Sequence, residues 1–388
     1  MASKRGFMWT VLSAAILISL VLSGQARAAN AADRLDRLER EIEEMKTHDE
    51  TIRKMAELVD RLNPSIKIAI WGEHVSPYDS SAGDESDILV DTVEVYFKPE
   101  INEWASGYLE LEYDDSDQDI EAEEARIIIK NTDAFPLYTE LGKFEAIHFG
   151  SFETFMLEGS ITEGLGELKE IGGMLGFEKA GFYANAVVYN GGFNEAGEQD
   201  NHIENFAGLA GYKQSFGGFS FDIGASYINN IADAGDLPDI LNTTNNEVDS
   251  FVGGAGAHAI LGWQGLTFIA EYITALDEFD DQEMLFEGDK AKPSAWNLEL
   301  GYEFDVLERG ATVAVAYQGT DEAANSLNPS EFLPESRYLA HFDIEVLRHV
   351  SWGLEYLRNT AYEADSGIDP AVADEDETVL RTELAIEF

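Results

Sequence analysis

Asp115, Asp117 and Asp119 have the spacing with which a calcium loop opens, three carboxylates on alternate residues offered to one hard cation. The resemblance ends there. Ile120 stands where that loop needs its glycine, and Arg126 stands where the closing bidentate glutamate belongs. Seven histidines are scattered without HxxxH spacing and there is no cysteine, so no zinc site, thiolate centre or disulfide framework is legible. His258 and His341 would need an activated serine to act as hydrolase bases, and no GxSxG elbow is present. The chain reads as a non-enzyme with no resident metal or cofactor.

What remains is charge. Asp and Glu number 75 against 25 Lys and Arg, a formal net charge of -50, which excludes nucleic acid as a partner and draws cations instead. Solubility or adaptation to saline surroundings is the plainer explanation of the same number. If the chain encloses a passage, charges fixed on its wall and on a loop folded into it set selectivity. The candidate constriction is the 149–167 stretch, with Glu153, Glu158 and Glu163, opposite Arg126, Lys143, Glu299, His341, Asp343 and Glu345. The alternative for each is a solvated charge without a selective role.

The elements that would hold such a wall are strands. Leu380, Thr382, Leu384, Ile386 and Phe388 share one face of the terminal segment, and Arg381, Glu383, Ala385 and Glu387 share the other. One lipid-facing side and one lumen-facing side explain that split, as does an ordinary edge strand of a soluble sheet. The rest of the chain favours the barrel. Sixteen candidate strands follow residue 64, most of them nine to twelve residues long, enough for a tilted strand to cross a bilayer. Trp296, Leu298, Leu300, Tyr302 and Phe304 alternate with Asn297, Glu299, Gly301 and Glu303, a second face too polar for a sandwich core. Strand-end aromatics such as Trp71, Phe97, Trp104, Tyr113, Tyr189, Trp263 and Trp352 suit interfacial girdles. Short links, among them 179–180, 215–217, 263–264 and 347–349, alternate with long polar ones such as 149–167, 229–250 and 358–377. That order belongs to a membrane barrel with both ends on one side.

Ahead of the strands, Lys4 and Arg5 precede an apolar run from Phe7 to Leu22 that closes on Ala26-Arg27-Ala28, the pattern of a secretory signal peptide over 1–28. A short inner-membrane anchor is the alternative. Cleavage would remove Lys4, Arg5 and Arg27 and no acid, taking the formal charge from -50 to -53. Within 29–63, Leu35, Leu38, Ile42 and Met45 form one a/d seam and Ile52, Met55, Val59 and Leu62 a second, separated by a phase break. A short periplasmic coiled coil, holding a homotrimer, accounts for so narrow a stripe; a single amphipathic helix on or in the barrel is the other reading. Asn63-Pro64 ends it. The reading is an all-β transmembrane barrel of about 16 antiparallel strands over 64–388, with an N-terminal periplasmic helix or coiled coil, in the outer membrane of a Gram-negative cell.

The chain also resembles a known family, the LbtU family of siderophore porins. The likeness rests on the leader, the helical stalk, Asp91-Thr92-Val93-Glu94-Val95 followed by Ile101-Asn102-Glu103-Trp104, the acidic hairpin after Tyr113 and the last strand ending on Phe388. It implies passage of iron-siderophores or similar small solutes across the outer membrane; separately, the last strand, with Leu384, Ile386 and Phe388, resembles the C-terminal signal of outer-membrane barrels that the barrel assembly machinery reads. No ligand residue comes with it. A ferric siderophore is often an anion, which sits awkwardly with so acidic a chain. Outer-membrane lipid and lipopolysaccharide are the surrounding partners, with divalent ions bridging the acidic loops. The competing reading is a structural barrel whose loops or stalk bind surface or periplasmic partners.

Overall fold

The structure, a computed structural model, describes residues 55, 59, 61–114, 119–144, 149–197 and 202–388. Sixteen strands form its wall. The first four are β1 (Pro64–Ser76), β2 (Glu85–Phe97), β3 (Ala105–Asp114) and β4 (Asp119–Ile129). The next four are β5 (Leu137–Phe144), β6 (Glu170–Lys179), β7 (Phe182–Tyr189) and β8 (Asn205–Phe216). Then come β9 (Phe219–Ile228), β10 (Gly254–Trp263), β11 (Leu266–Ala275) and β12 (Ser294–Val306). The last are β13 (Arg309–Asp321), β14 (Ser336–Leu347), β15 (Val350–Thr360) and β16 (Asp376–Glu387). Each pairs antiparallel with its neighbour in sequence, and β16 pairs with β1 to close the ring. Phe388 completes that seam by exchanging backbone hydrogen bonds with Ile66, at 2.9 and 3.1 Å.

Alternation fixes which side faces out. On the outer face Leu175 and Val315 are 58% and 52% exposed, while on the inner face Glu299 and Glu355 are each 1% exposed. Apolar outside and polar inside is the inverse of a soluble protein, and it suits a wall whose outer solvent is hydrocarbon. Leu384, Ile386 and Phe388 lie exposed on that outer face. Ring closure leaves no unpaired strand edge to be satisfied there.

Local departures re-aim individual side chains. A bulge at Glu110/Leu111 of β3 pairs Glu110 with Glu124 and Leu111 with Ala122, so Glu123 is the extra residue and drops off the inner face. Lys143 of β5 shares the outward face of Leu141, and its ammonium meets Ala122 O at 2.8 Å and Glu123 at 3.8 Å. The lumen placement expected of Lys143 is therefore corrected: it lies on the outer side. The girdle is thinner than the sequence implies as well. Trp71 faces inward beneath Arg381, 3.8 Å away, and Tyr189 is fully buried, whereas Trp263 is 57% exposed on the outer face.

Long loops at one end of the ring carry structure that period-2 alternation did not reveal. They hold two short helices, α1 (Ile161–Gly166) and α2 (Leu237–Ile240), and two small strand pairs, Asn194–Glu195 with Glu247–Val248 and Leu285–Phe286 with Asp289–Lys290. Phe149, Ile161, Leu165, Ile231, Leu237, Phe279 and Met284 bury together with the inward Tyr189 and Ile273, making an apolar core inside the mouth. Their irregular spacing hid them among polar neighbours. The expected leader, nearly all of the expected 29–63 helix, Asp115, Asp117 and the 145–148 end expected of the fifth strand lie outside the described residues.

Candidate functional site: a loop bound to the inner wall

From residue 149 the loop between β5 and β6 runs along the inside of the ring, and acceptors on β11, β12, β13 and β15 take up its backbone donors. Glu271 on β11 accepts from Ser151 N at 2.5 Å, from Phe152 N at 3.2 Å and from the Thr162 hydroxyl at 2.8 Å. Glu299 on β12 accepts from Phe155 N at 2.5 Å and the Thr154 hydroxyl at 2.8 Å. Glu355 on β15 accepts from Leu157 N at 2.7 Å and Glu158 N at 3.1 Å. Gln318 on β13 takes Ile161 N at 3.1 Å. A buried N–H needs an acceptor, and a carboxylate is a strong one. Gly301 on β12 leaves the room that Phe155 fills, since a Cβ there would come within 2.3 Å of its ring.

The loop then turns into α1, capped by Ser160, whose hydroxyl accepts from Glu163 N at 3.3 Å. The neighbouring loop clamps it: Gly235 N donates to Glu167 O at 2.6 Å and Asp236 N to Gly164 O at 2.7 Å. Before the helix, Glu158 reaches the two strands that flank β15. Its carboxylate lies 2.7 Å from Arg381 on β16 and 3.8 Å from Arg337 on β14. Beside these contacts is a cavity of about 380 Å³ lined by Glu158, Glu163, Glu167, Asp233, Asp236 and Arg337, among others. Burial raises the carboxyl groups of Glu163 and Asp236 above their ordinary values, and pushes Asp233 up to about 6 despite its hydrogen bonds from Gly192 N and Phe193 N.

On the other side of the ring, β1 to β4 turn Lys67, Glu94, Glu110, Glu112, Glu124 and Arg126 inward. Arg126 bridges Glu124 at 2.7 Å and Glu140 of β5 at 2.9 Å, so it is bound into the wall rather than aimed at the loop. Of the other expected residues, Glu153 is exposed, Glu158 and Glu163 line the cavity, and Glu299 is a loop anchor. His341 is buried 3.4 Å from Glu355, while Asp343 and Glu345 follow it on the same inward face towards the short β14–β15 turn. Sequence reasoning missed Glu271, Glu355, Gln318, Arg337 and Arg381. All lie on polar strand faces, but only the register shows which of them the loop meets.

No family model matches the chain. It is 29% identical over 269 residues to a UPF0422 protein of Coxiella burnetii, covering 67% of this chain and 56% of that one. To a UPF0422 protein of Legionella pneumophila (strain Lens) it is 25% identical over 309 residues, covering 73% and 56%. The chain thus matches a little over half the length of these relatives. Among solved structures it superposes on the outer membrane channel DcaP of Acinetobacter baumannii with a TM-score of 0.55 at 12% identity, covering 84% of this chain and 96% of that one. Salmonella typhi OmpF gives 0.55 at 14% identity, covering 84% and 97%, and an anion-selective porin of Comamonas acidovorans 0.53 at 10%, covering 84% and 98%. The fold is that of the outer-membrane porins.

Proposed function

We propose that the chain is a diffusion porin of the Gram-negative outer membrane, passing small solutes through a largely acidic lumen narrowed by the 149–167 loop. The observation that carries this reading is the loop itself, held inside a closed ring by Glu271, Glu299 and Glu355. A fixed loop facing fixed wall charges is the arrangement from which pores derive selectivity. The apolar outer face and the segregation of long loops from short turns support an orientation with short turns in the periplasm. Export by 1–28, trimerisation through 29–63 and recognition of Leu384, Ile386 and Phe388 by the assembly machinery belong to the same reading. Iron-siderophore uptake is its finer form and rests on the family resemblance.

A structural barrel is the second reading, favoured by the apolar core that fills part of the mouth. Planar bilayers separate the two: discrete channels with a cation-shifted reversal potential are expected, and a silent barrel that is correctly folded would overturn the porin. Growth of a deletion strain on a ferric siderophore as sole iron source tests the cargo.

A further inference from the structure

In so acidic a chain, two arginines converging on one loop carboxylate ask for an explanation. Arg381 sits over the Trp71 ring, with Nε and Nη2 held by Glu73 at 3.4 and 3.3 Å. Its remaining edge, Nη1, points at Glu158. Arg337 is fixed in the same way, Nε donating to Asn359 at 2.8 Å and Nη2 turned to Glu158. Both guanidinium side chains are nearly buried, at 11% and 10% exposure, and they cannot shed their charge. Leaving either without an anion would be costly. Glu158 differs from Glu73 and Asn359 in kind: it comes from the loop, is 29% exposed and borders the cavity.

The rest of that cavity's charged lining is four carboxylates and one lysine, Lys169, which lies 3.9 Å from Glu167. Glu163 and Asp236 face the cavity from two different loops, and Asp233 and Glu167 stand beside them. We propose that this cavity is a subsite for zwitterionic solutes, whose carboxylate displaces Glu158 from Arg381 and Arg337 while their ammonium group sits against Glu163 and Asp236. Glu158 is then a built-in stand-in for the solute carboxylate. A purely anionic solute meets the four acids with only Lys169 to offset them, and a purely cationic one leaves the arginines to Glu158. The inference rests on the porin reading for its route into the lumen, but binding does not require current to flow.

The test uses the full chain in detergent and in planar bilayers, with γ-aminobutyrate as probe and its two half-molecules, butyrate and butylamine, as controls. Calorimetry should show γ-aminobutyrate binding about tenfold more tightly than either control, the scale of one charge-assisted hydrogen bond lost. Glu158→Gln removes the competitor and should tighten γ-aminobutyrate binding, while Asp236→Asn should weaken it without weakening butyrate. Heat-modifiable migration on gels verifies that each variant is folded. Equal affinity for γ-aminobutyrate and butyrate, no binding at all, or no effect of Glu158→Gln would overturn the subsite. Binding by calorimetry without channels in the bilayer would keep the subsite and overturn the porin instead.

Discussion

At the level of single residues, the carboxylates that define the lumen do two kinds of work. Glu271, Glu299 and Glu355 are acceptors for a loop backbone, so N–H dipoles partly offset their charge before a solute meets it. Glu299→Ala leaves Phe155 N and the Thr154 hydroxyl without that acceptor, at a cost of about 1.5–3 kcal/mol for a charge-assisted bond. Faster proteolytic nicking of the 149–167 loop and a larger, noisier conductance are expected; unchanged cleavage and current would show that the loop is held elsewhere. Three loop acids are shifted by burial. Burial raises Asp233 to about 6 and raises Glu163 and Asp236 in the same direction, so folding costs most when all are charged. Their contribution to stability is therefore greatest at low pH and falls as pH rises, for Asp233 through about 6. Protease resistance of the loops should increase between pH 8 and pH 5, and a fall over that interval would contradict the assignment.

The strands could be read from the sequence because alternation over bilayer length leaves a signal that turns cannot blur. Each of the sixteen expected strands overlaps one in the structure, yet their ends move where the turn chemistry is silent. The link expected at 305–309 is in fact a two-residue turn, Leu307-Glu308, with both residues at positive φ, 53° and 65°. Neither residue type announces that conformation, which Asn-Gly adopts readily. Replacing the pair with Asn-Gly should stabilise the β12–β13 hairpin by about 0.5–1 kcal/mol, read as slower unfolding in urea at unchanged conductance. The loop interior was not readable for a related reason. Phe149, Ile161, Leu237 and Phe279 follow neither a period of 2 nor one of 3.6, and only the fold brings them together.

For the whole molecule, the net charge of -50 acts at long range and the site acts at short range. Long-range attraction is screened within about 10 Å at 0.1 M salt and about 3 Å at 1 M. Cation preference in reversal-potential measurements should therefore weaken as KCl is raised towards 1 M, while zwitterion binding at Arg381 and Arg337 persists. A preference independent of salt would mean that fixed constriction charges alone decide it. Ring closure, sidedness and acidity were available from the sequence; the charge map of the lumen was not, because Arg126 is locked to Glu124 and Glu140 and Lys143 faces outward.

The apolar core in the mouth gives the molecule two interiors of opposite kind, one organised by lipid around a hydrogen-bonded wall and one organised by water like that of a small soluble domain. The second exposes apolar surface when it melts and must carry a positive heat-capacity step of its own. Heating should accordingly produce two calorimetric events, an early one in which the mouth empties while the ring stays closed, and a late one in which the ring itself is lost.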